Sequence, residues 1–113
     1  YYYHELKALE DKGLLNLPYV PEECAHNAHM FYIKVKDLDE RTRLIEYLKE
    51  NGVNAVFHYI PLHSSPAGKE LGRFCGEDCY TTKESERLLR LPLYYGMGNN
   101  VERVVEVVKT FWK

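Results

Sequence analysis

Apolar and polar positions change their period several times along the chain, and each change marks an expected element. Tyr1 to Lys12 carries Leu6 and Leu9 at helical spacing and is followed by Gly13, so the spacing predicts an amphipathic helix with a glycine C-cap. Pro18 and Pro21 then bracket an extended connector, because proline fixes its own φ and turns the preceding residue away from the helical region. Met30 to Lys36 alternates: Phe31, Ile33 and Val35 face one way, while Tyr32, Lys34 and Lys36 face the other. That is the period of a strand with one buried face. Asp37 or Asp39 can cap the next helix, where Leu44, Ile45 and Leu48 make an apolar stripe that Asn51-Gly52 ends. Asn54 to Tyr59 reads as a second strand, with Val56 flanked by Ala55 and Phe57.

Residues 60–80 are punctuated by Pro61, Pro66, Gly68, Gly72 and Gly76, which predicts a long loop. Thr81 and Glu84 have the spacing of a capping box that opens a short helix. Leu89 to Tyr94 is a third strand, and Pro92 within it predicts an edge position or a bulge. Asn99 with Glu102 repeats the capping signal before a last helix striped by Val101, Val104, Val105, Val108 and Trp112. The expected fold is α/β, a small two-layer sandwich in which helices pack a short, mostly antiparallel sheet. The proline connector divides the chain into residues 1–21 and a compact unit at 22–113.

Composition narrows the function more than the fold. A chain of 113 residues supports one core, which would bury roughly two-thirds of the unfolded surface. It is too short for a two-domain enzyme with its own cofactor cleft. Fifteen Lys+Arg against seventeen Asp+Glu give a net charge of −2, and no basic block is present. Nucleic acid is therefore not an expected partner, since phosphate neutralisation needs clustered Lys and Arg. No apolar run approaches the ~20 residues of a membrane span, and no membrane partner is expected. Cys24, Cys75 and Cys79 are an odd number without a secretion signal, which reads as reduced thiols in a cytoplasmic protein. The chain opens on Tyr1 inside an expected helix, not on Met, so it is expected to be a piece of something longer.

The densest cluster of chemistry is His58-Tyr59-Ile60-Pro61-Leu62-His63, where a strand opens into the long loop. Two imidazoles and a phenol offer donors near neutral pH; buried, His58 and Tyr59 would instead satisfy backbone groups. His58, His63, Cys75 and Cys79 also spell H-x4-H-x11-C-x3-C, a set of ligand types that zinc accepts. The C-x3-C pair is looser than the common zinc spacing, and two inert thiols are the plainer reading. His26, Asn27 and His29 precede the first strand and could face a ligand or simply lie on the surface. Tyr94 and Tyr95 could line a pocket or close the core, and the Tyr1-Tyr2-Tyr3 run suggests an interface. No P-loop, G-x-G-x-x-G turn or G-x-S-x-G elbow is present.

Several blocks together resemble one family. Asn27-Ala28-His29-Met30-Phe31-Tyr32-Ile33, HYIPLH at 58–63, Pro66-Ala67-Gly68 and TTKESERLLRLPL at 81–93 resemble, in order, the C-terminal domain of the DegT/DnrJ/StrS sugar aminotransferases. The resemblance spans essentially the whole chain. It implies the small domain of a fold-type-I enzyme that uses pyridoxal 5'-phosphate to move an amino group, usually from glutamate, onto a dTDP-4-keto-6-deoxy sugar. It places the Schiff-base lysine in a large N-terminal domain, expected to precede Tyr1, so no cofactor and no activity are expected on this chain alone. It implies as partners that large domain, the nucleotide-sugar, glutamate and a second copy in a homodimer. By position in the family's motifs, His58, Tyr59 and His63 are expected to contact the sugar or diphosphate, with Asn27 and His29 beside the cleft. Without the resemblance, the residues are equally those of a stand-alone small-molecule-binding module or, less simply, a zinc-stabilised domain.

Overall fold

A computed structural model describes residues 1–113. Its first half runs α1 (Tyr2–Asp11), β1 (Phe31–Lys34), α2 (Leu38–Glu50) and β2 (Val56–Phe57). A 3-10 turn at Leu62–Ser64 leads to α3 (Pro66–Leu71), α4 (Thr81–Arg87), β3 (Leu88–Leu91) and α5 (Asn100–Thr110). The three strands form one antiparallel sheet in the order β1-β3-β2. The expected two-layer α/β sandwich is therefore present, with both expected outer strands shortened at their ends.

β3 corrects the reading of Pro92. It is the central strand and not an edge, pairing with β1 from Phe31↔Leu91 to Lys34↔Leu88 and with β2 through Val56↔Arg90 and Phe57↔Leu89. The strand ends at Leu91, so the missing N–H of Pro92 falls outside the ladder. The Pro92 carbonyl is used instead by Tyr2, whose hydroxyl donates to it at 2.7 Å. Burial pushes the Tyr2 phenol well above its ordinary pKa.

The two faces of the sheet differ. Ile33 and Leu89 are fully buried beneath the helices, in a core shared with Leu44 and Leu48 of α2 and Val104, Val105 and Val108 of α5. Proline separates the opening helix from the rest in sequence, yet Tyr2, Leu6 and Leu9 of α1 sit in that same core. Lys109 of α5 also reaches Glu5 of α1 at 2.7 Å. Of the three opening tyrosines only Tyr2 is buried; Tyr1 and Tyr3 are exposed. The opposite face carries Tyr32 and Lys34 of β1, Leu88 and Arg90 of β3, and Val56 of β2, and none of these joins the core.

Helix ends explain the remaining differences from the sequence reading. Asp37 caps α2 as expected, its Oδ1 accepting from Glu40 N at 2.9 Å, while Glu40 Oε2 accepts from Lys36 N at 2.9 Å. Gly13 has φ +71° and closes α1, with Leu14 N donating to Leu9 O at 3.0 Å. Thr81 is not the cap of α4. Tyr80 holds that position without a side-chain bond, and Asp78 accepts from Thr82 N instead, at 3.2 Å through Oδ2. Glu84 turns outward to Lys34 at 2.8 Å and Arg87 at 3.1 Å. Asn99 occupies the cap position of α5 but makes no side-chain bond there. The expected loop at 60–80 contains the 3-10 turn and α3, because Ser65 caps a helix whose first residue is Pro66.

Candidate functional site

Residues 58–63 leave the exposed end of β2 and cross Pro61 into the 3-10 turn. Within that short segment the side chains separate. His58 is half-buried, its ring stands edge-on to Tyr59 at 4.5 Å, and its buried Nδ1 has no hydrogen-bond partner. Tyr59 is 72% exposed and lines a cavity of about 330 Å³ together with Arg41, Phe57, Ser64, Thr82 and Glu86. His63 lies on the other side of the turn. It lines a second cavity of about 450 Å³ with Leu62, Leu71, Arg73, Phe74 and Cys75.

His63 is the most constrained of the sequence-derived candidates. Its Nε2 stands 2.8 Å from Asp78 Oδ2 and 3.3 Å from Thr82 Oγ1, and its ring packs 4.5 Å from Phe74. Thr82 donates its hydroxyl to Asp78 as well, so the carboxylate ties the 3-10 turn to the start of α4. Asp78 and Thr82 were not identifiable from local pattern, since their partner lies 15 and 19 residues away. Thr82 also borders the cavity that holds Tyr59, so one side chain touches both His63 and that cavity.

The same cluster has a defined response to acid. Hydrogen bonds, chiefly from the Thr82 hydroxyl, hold the Asp78 carboxyl below its ordinary value of 3.8, against the opposing effect of burial. A carboxyl lowered in the folded state stabilises above the unfolded value and loses that contribution as pH falls through the folded one. Protection of the Thr82 amide, measured as exchange relative to its intrinsic rate at each pH, is therefore expected to hold above about pH 4 and to fall below it. Asp78→Asn should remove this pH dependence, and an unchanged exchange profile in that variant would exclude Asp78 as its source.

Arg41, also missed by pattern, supplies the charged wall of the Tyr59 cavity. Its guanidinium lies 5.3 Å over the Phe57 ring and donates through Nη1 to Ser85 O at 2.8 Å. Burial pulls its pKa below the usual arginine value, and Glu86 opposes that shift. Asn27 and His29 stand elsewhere. Asn27 Oδ1 accepts from His29 N at 3.1 Å in a turn that contains Ala28 at φ +53°. The His29 side chain lines a separate cavity of about 190 Å³ at the end of the sheet. The structure thus places His63 and Tyr59 in separate cavities on the two sides of the 3-10 turn and leaves His29 apart. Tyr94 borders a further cavity and accepts from Asn100 Nδ2 at 3.2 Å, whereas Tyr95 is fully exposed.

Neither a metal nor a Schiff base fits these residues. No three His, Cys, Asp or Glu side chains are grouped closely enough to hold a metal ion, so His58, His63, Cys75 and Cys79 do not form the zinc set their spacing allows. Cys75 and Cys79 are exposed free thiols. An imine-forming lysine must shed its proton, which burial or a nearby cation favours. Lys7, Lys34 and Lys109 instead lie 2.7, 2.8 and 2.7 Å from Glu10, Glu84 and Glu5. Lys12, Lys36, Lys49, Lys69, Lys83 and Lys113 are exposed. The lysines of this chain do not fit attachment of pyridoxal phosphate.

Comparison with known proteins accounts for such an arrangement. A family model described as the DegT/DnrJ/EryC1/StrS aminotransferase family matches residues 1–109. The dTDP-3-amino-3,6-dideoxy-alpha-D-galactopyranose transaminase of Aneurinibacillus thermoaerophilus is 30% identical over 98% of this chain and 29% of its own length. NtdA from Bacillus subtilis, solved with bound cofactor PMP, is 30% identical with a TM-score of 0.77, over 96% of this chain and 25% of that one. The aminotransferase TlmJ from Streptoalloteichus hindustanus shares the fold at a TM-score of 0.74 and 22% identity, over 96% of this chain and 29% of that one. The chain spans between a quarter and a third of the length of these relatives. With residues 1–109 matched and the sandwich reproduced in solved members, the chain belongs to the DegT/DnrJ/EryC1/StrS aminotransferase family.

Proposed function

We propose that this chain is the C-terminal small domain of a pyridoxal-phosphate-dependent aminotransferase acting on a dTDP-4-keto-6-deoxy sugar, with glutamate as amino donor. The reading is closest to a dTDP-4-amino-4,6-dideoxygalactose transaminase. One observation carries it: beside the family match over residues 1–109, a relative 30% identical over 98% of this chain is named for a dTDP-linked aminodideoxygalactose. In this reading the cofactor and its lysine belong to the large N-terminal domain, and the chain works in the cytoplasm as part of a homodimer. His63, Tyr59 and His58 face the nucleotide-sugar from the 58–63 segment, while Asn27 and His29 flank it. The constraint on His63 supports that role, because a donor fixed by Asp78 and Phe74 loses little freedom on binding.

The position of the amine separates two members of this reading. The named product of the Aneurinibacillus relative carries nitrogen at C3, whereas the reading proposed for this chain places it at C4. The full-length protein, loaded with pyridoxal phosphate and glutamate, should convert dTDP-4-keto-6-deoxyglucose to a 4-amino sugar and release 2-oxoglutarate. The 113-residue chain alone should give no product. Turnover of only a dTDP-3-keto-6-deoxy sugar would move the assignment to C3. Transamination by the isolated chain, or its absence from the full-length protein with every keto-sugar, would overturn the proposal.

A further inference from the structure

Arg90 is the single charge within the apolar run Leu88–Leu93 and stands on the central strand, on the face the helices do not cover. Across the sheet it pairs with Tyr32 on one side and Val56 on the other. Its buried Nε has no hydrogen-bond partner, and no carboxylate forms a salt bridge with its guanidinium. Its neighbours differ: Lys34 and Arg87 pair with Glu84 and Lys109 with Glu5, while Arg41, whose Nε is also unpartnered, still donates through Nη1 to Ser85 O. A half-buried guanidinium left without an acceptor costs free energy until something supplies one.

What lies beside Arg90 narrows the missing acceptor. The 190 Å³ cavity at this end of the sheet is lined by Arg90, His29 and Asn54 among Met30, Val56 and Pro92, and no Asp or Glu lines it. The backbone of His29 is held by Asn27, which leaves the imidazole free to point a donor into the cavity. Every polar side chain there can donate, and the only permanent charge is positive. The volume suits one phosphate or carboxylate group and is too small for a whole nucleotide-sugar. His58, just beyond the end of β2, carries another buried nitrogen without a partner, but it does not line this cavity.

We propose that this cavity is an oxyanion subsite, with Arg90 as its charged anchor and His29 and Asn54 as neutral donors. Planar guanidinium with flanking donors matches the two oxygens of a carboxylate or phosphate. The site itself rests on Arg90 and its surroundings; its source of oxyanion rests on the aminotransferase reading, which supplies two: the diphosphate of the nucleotide-sugar and a carboxylate of glutamate.

The test uses the full-length protein and its Arg90→Gln, Arg90→Lys and Asn54→Ala variants, with folding checked by thermal melting. Calorimetric titration with inorganic pyrophosphate and with glutarate reads the site without turnover, and KM for each substrate reads it during turnover. Arg90→Gln should weaken one probe roughly ten- to hundredfold, with Arg90→Lys intermediate, since a charge-assisted hydrogen bond is being removed. A loss confined to pyrophosphate and to the nucleotide-sugar KM assigns the diphosphate. A loss confined to glutarate and to the glutamate KM assigns the amino donor. Unchanged affinity for both probes in a folded Arg90→Gln protein overturns the subsite, and a fall in melting temperature in its place would mean that a protein carboxylate fills the cavity. Arg90-dependent binding in a protein that transaminates nothing would keep the subsite and reject the enzyme assignment instead.

Discussion

Replacing Gly68 by alanine should leave the sheet folded while melting the segment that carries His63. A Cβ at this position would lie 1.7 Å from the carbonyl oxygen of Leu62 and 2.7 Å from its carbon, both backbone atoms that cannot rotate away. Gly68 N donates to Ser65 Oγ at 3.0 Å, and Ser65 Oγ donates to Leu62 O at 2.7 Å, so the turn and the helix start are bound together at the point of contact. The least costly relief is to release α3, whose residues are outside the core, and not to disturb β1 and β3. Amide exchange across residues 65–72 should approach the unprotected rate, while Ile33 and Leu89 keep wild-type protection. In the full-length enzyme kcat/KM should fall roughly a hundredfold, the scale expected when a contacting group is displaced by about an ångström. Wild-type exchange through α3 in this variant would show that the close approach constrains nothing.

The same residues show where pattern suffices and where it does not. Phe31, Ile33 and Val35 announce a one-sided strand because alternation is local, and α2 is legible from Asp37 and the stripe at Leu44 and Leu48 for the same reason. The place of β3 in the sheet is not local. Its central position depends on partners 58 and 34 residues earlier, Tyr32 and Val56 on either side of Arg90, and Pro92 biased the reading toward an edge that the strand never reaches. Thr81 has the spacing of a cap, but Asp78 is nearer to the free N–H groups and takes the bond first. Gly and Pro in 60–80 signal irregular backbone, and α3 arises there only because Ser65-Pro66 is also a helix start.

The candidate site divides along the same line. HYIPLH is visible as a cluster of donors in the chain, so His58, Tyr59 and His63 can be named from sequence. Their separation by the 3-10 turn, with Tyr59 and His63 in different cavities, is set by three-dimensional placement alone. Arg41, Asp78 and Arg90 carry the charge around these donors, and two of them sit on regular elements where they resemble ordinary surface residues. Arg90 did leave a trace, since a lone charge in an apolar strand run needs either solvent or a partner.

Truncating adjacent leucines on β3 should give very different costs, and the difference measures what covers the open face. Leu89 is fully buried in the central strand, with Ile33 opposite it on β1 and Phe57 on β2. Leu89→Ala should destabilise the 113-residue chain by about 2–5 kcal/mol, from lost transfer energy and the cavity left beneath α2 and α5. That is a large share of the roughly 5–15 kcal/mol typical of a domain, so the variant is expected to be marginal at 37 °C. Leu88 points to the face outside the core, and Leu88→Ala should cost about 1 kcal/mol or less in the same chain. Trp112 reports both transitions: it is the only tryptophan, and its Nε1 donates to Glu40 Oε1 at 3.0 Å between α2 and the C-terminal residues. Equal costs for the two truncations would overturn the assignment of faces. In the full-length protein Leu88→Ala should become more costly than in the isolated chain if protein packs on that face, and should stay near its isolated value if the face remains open to substrate.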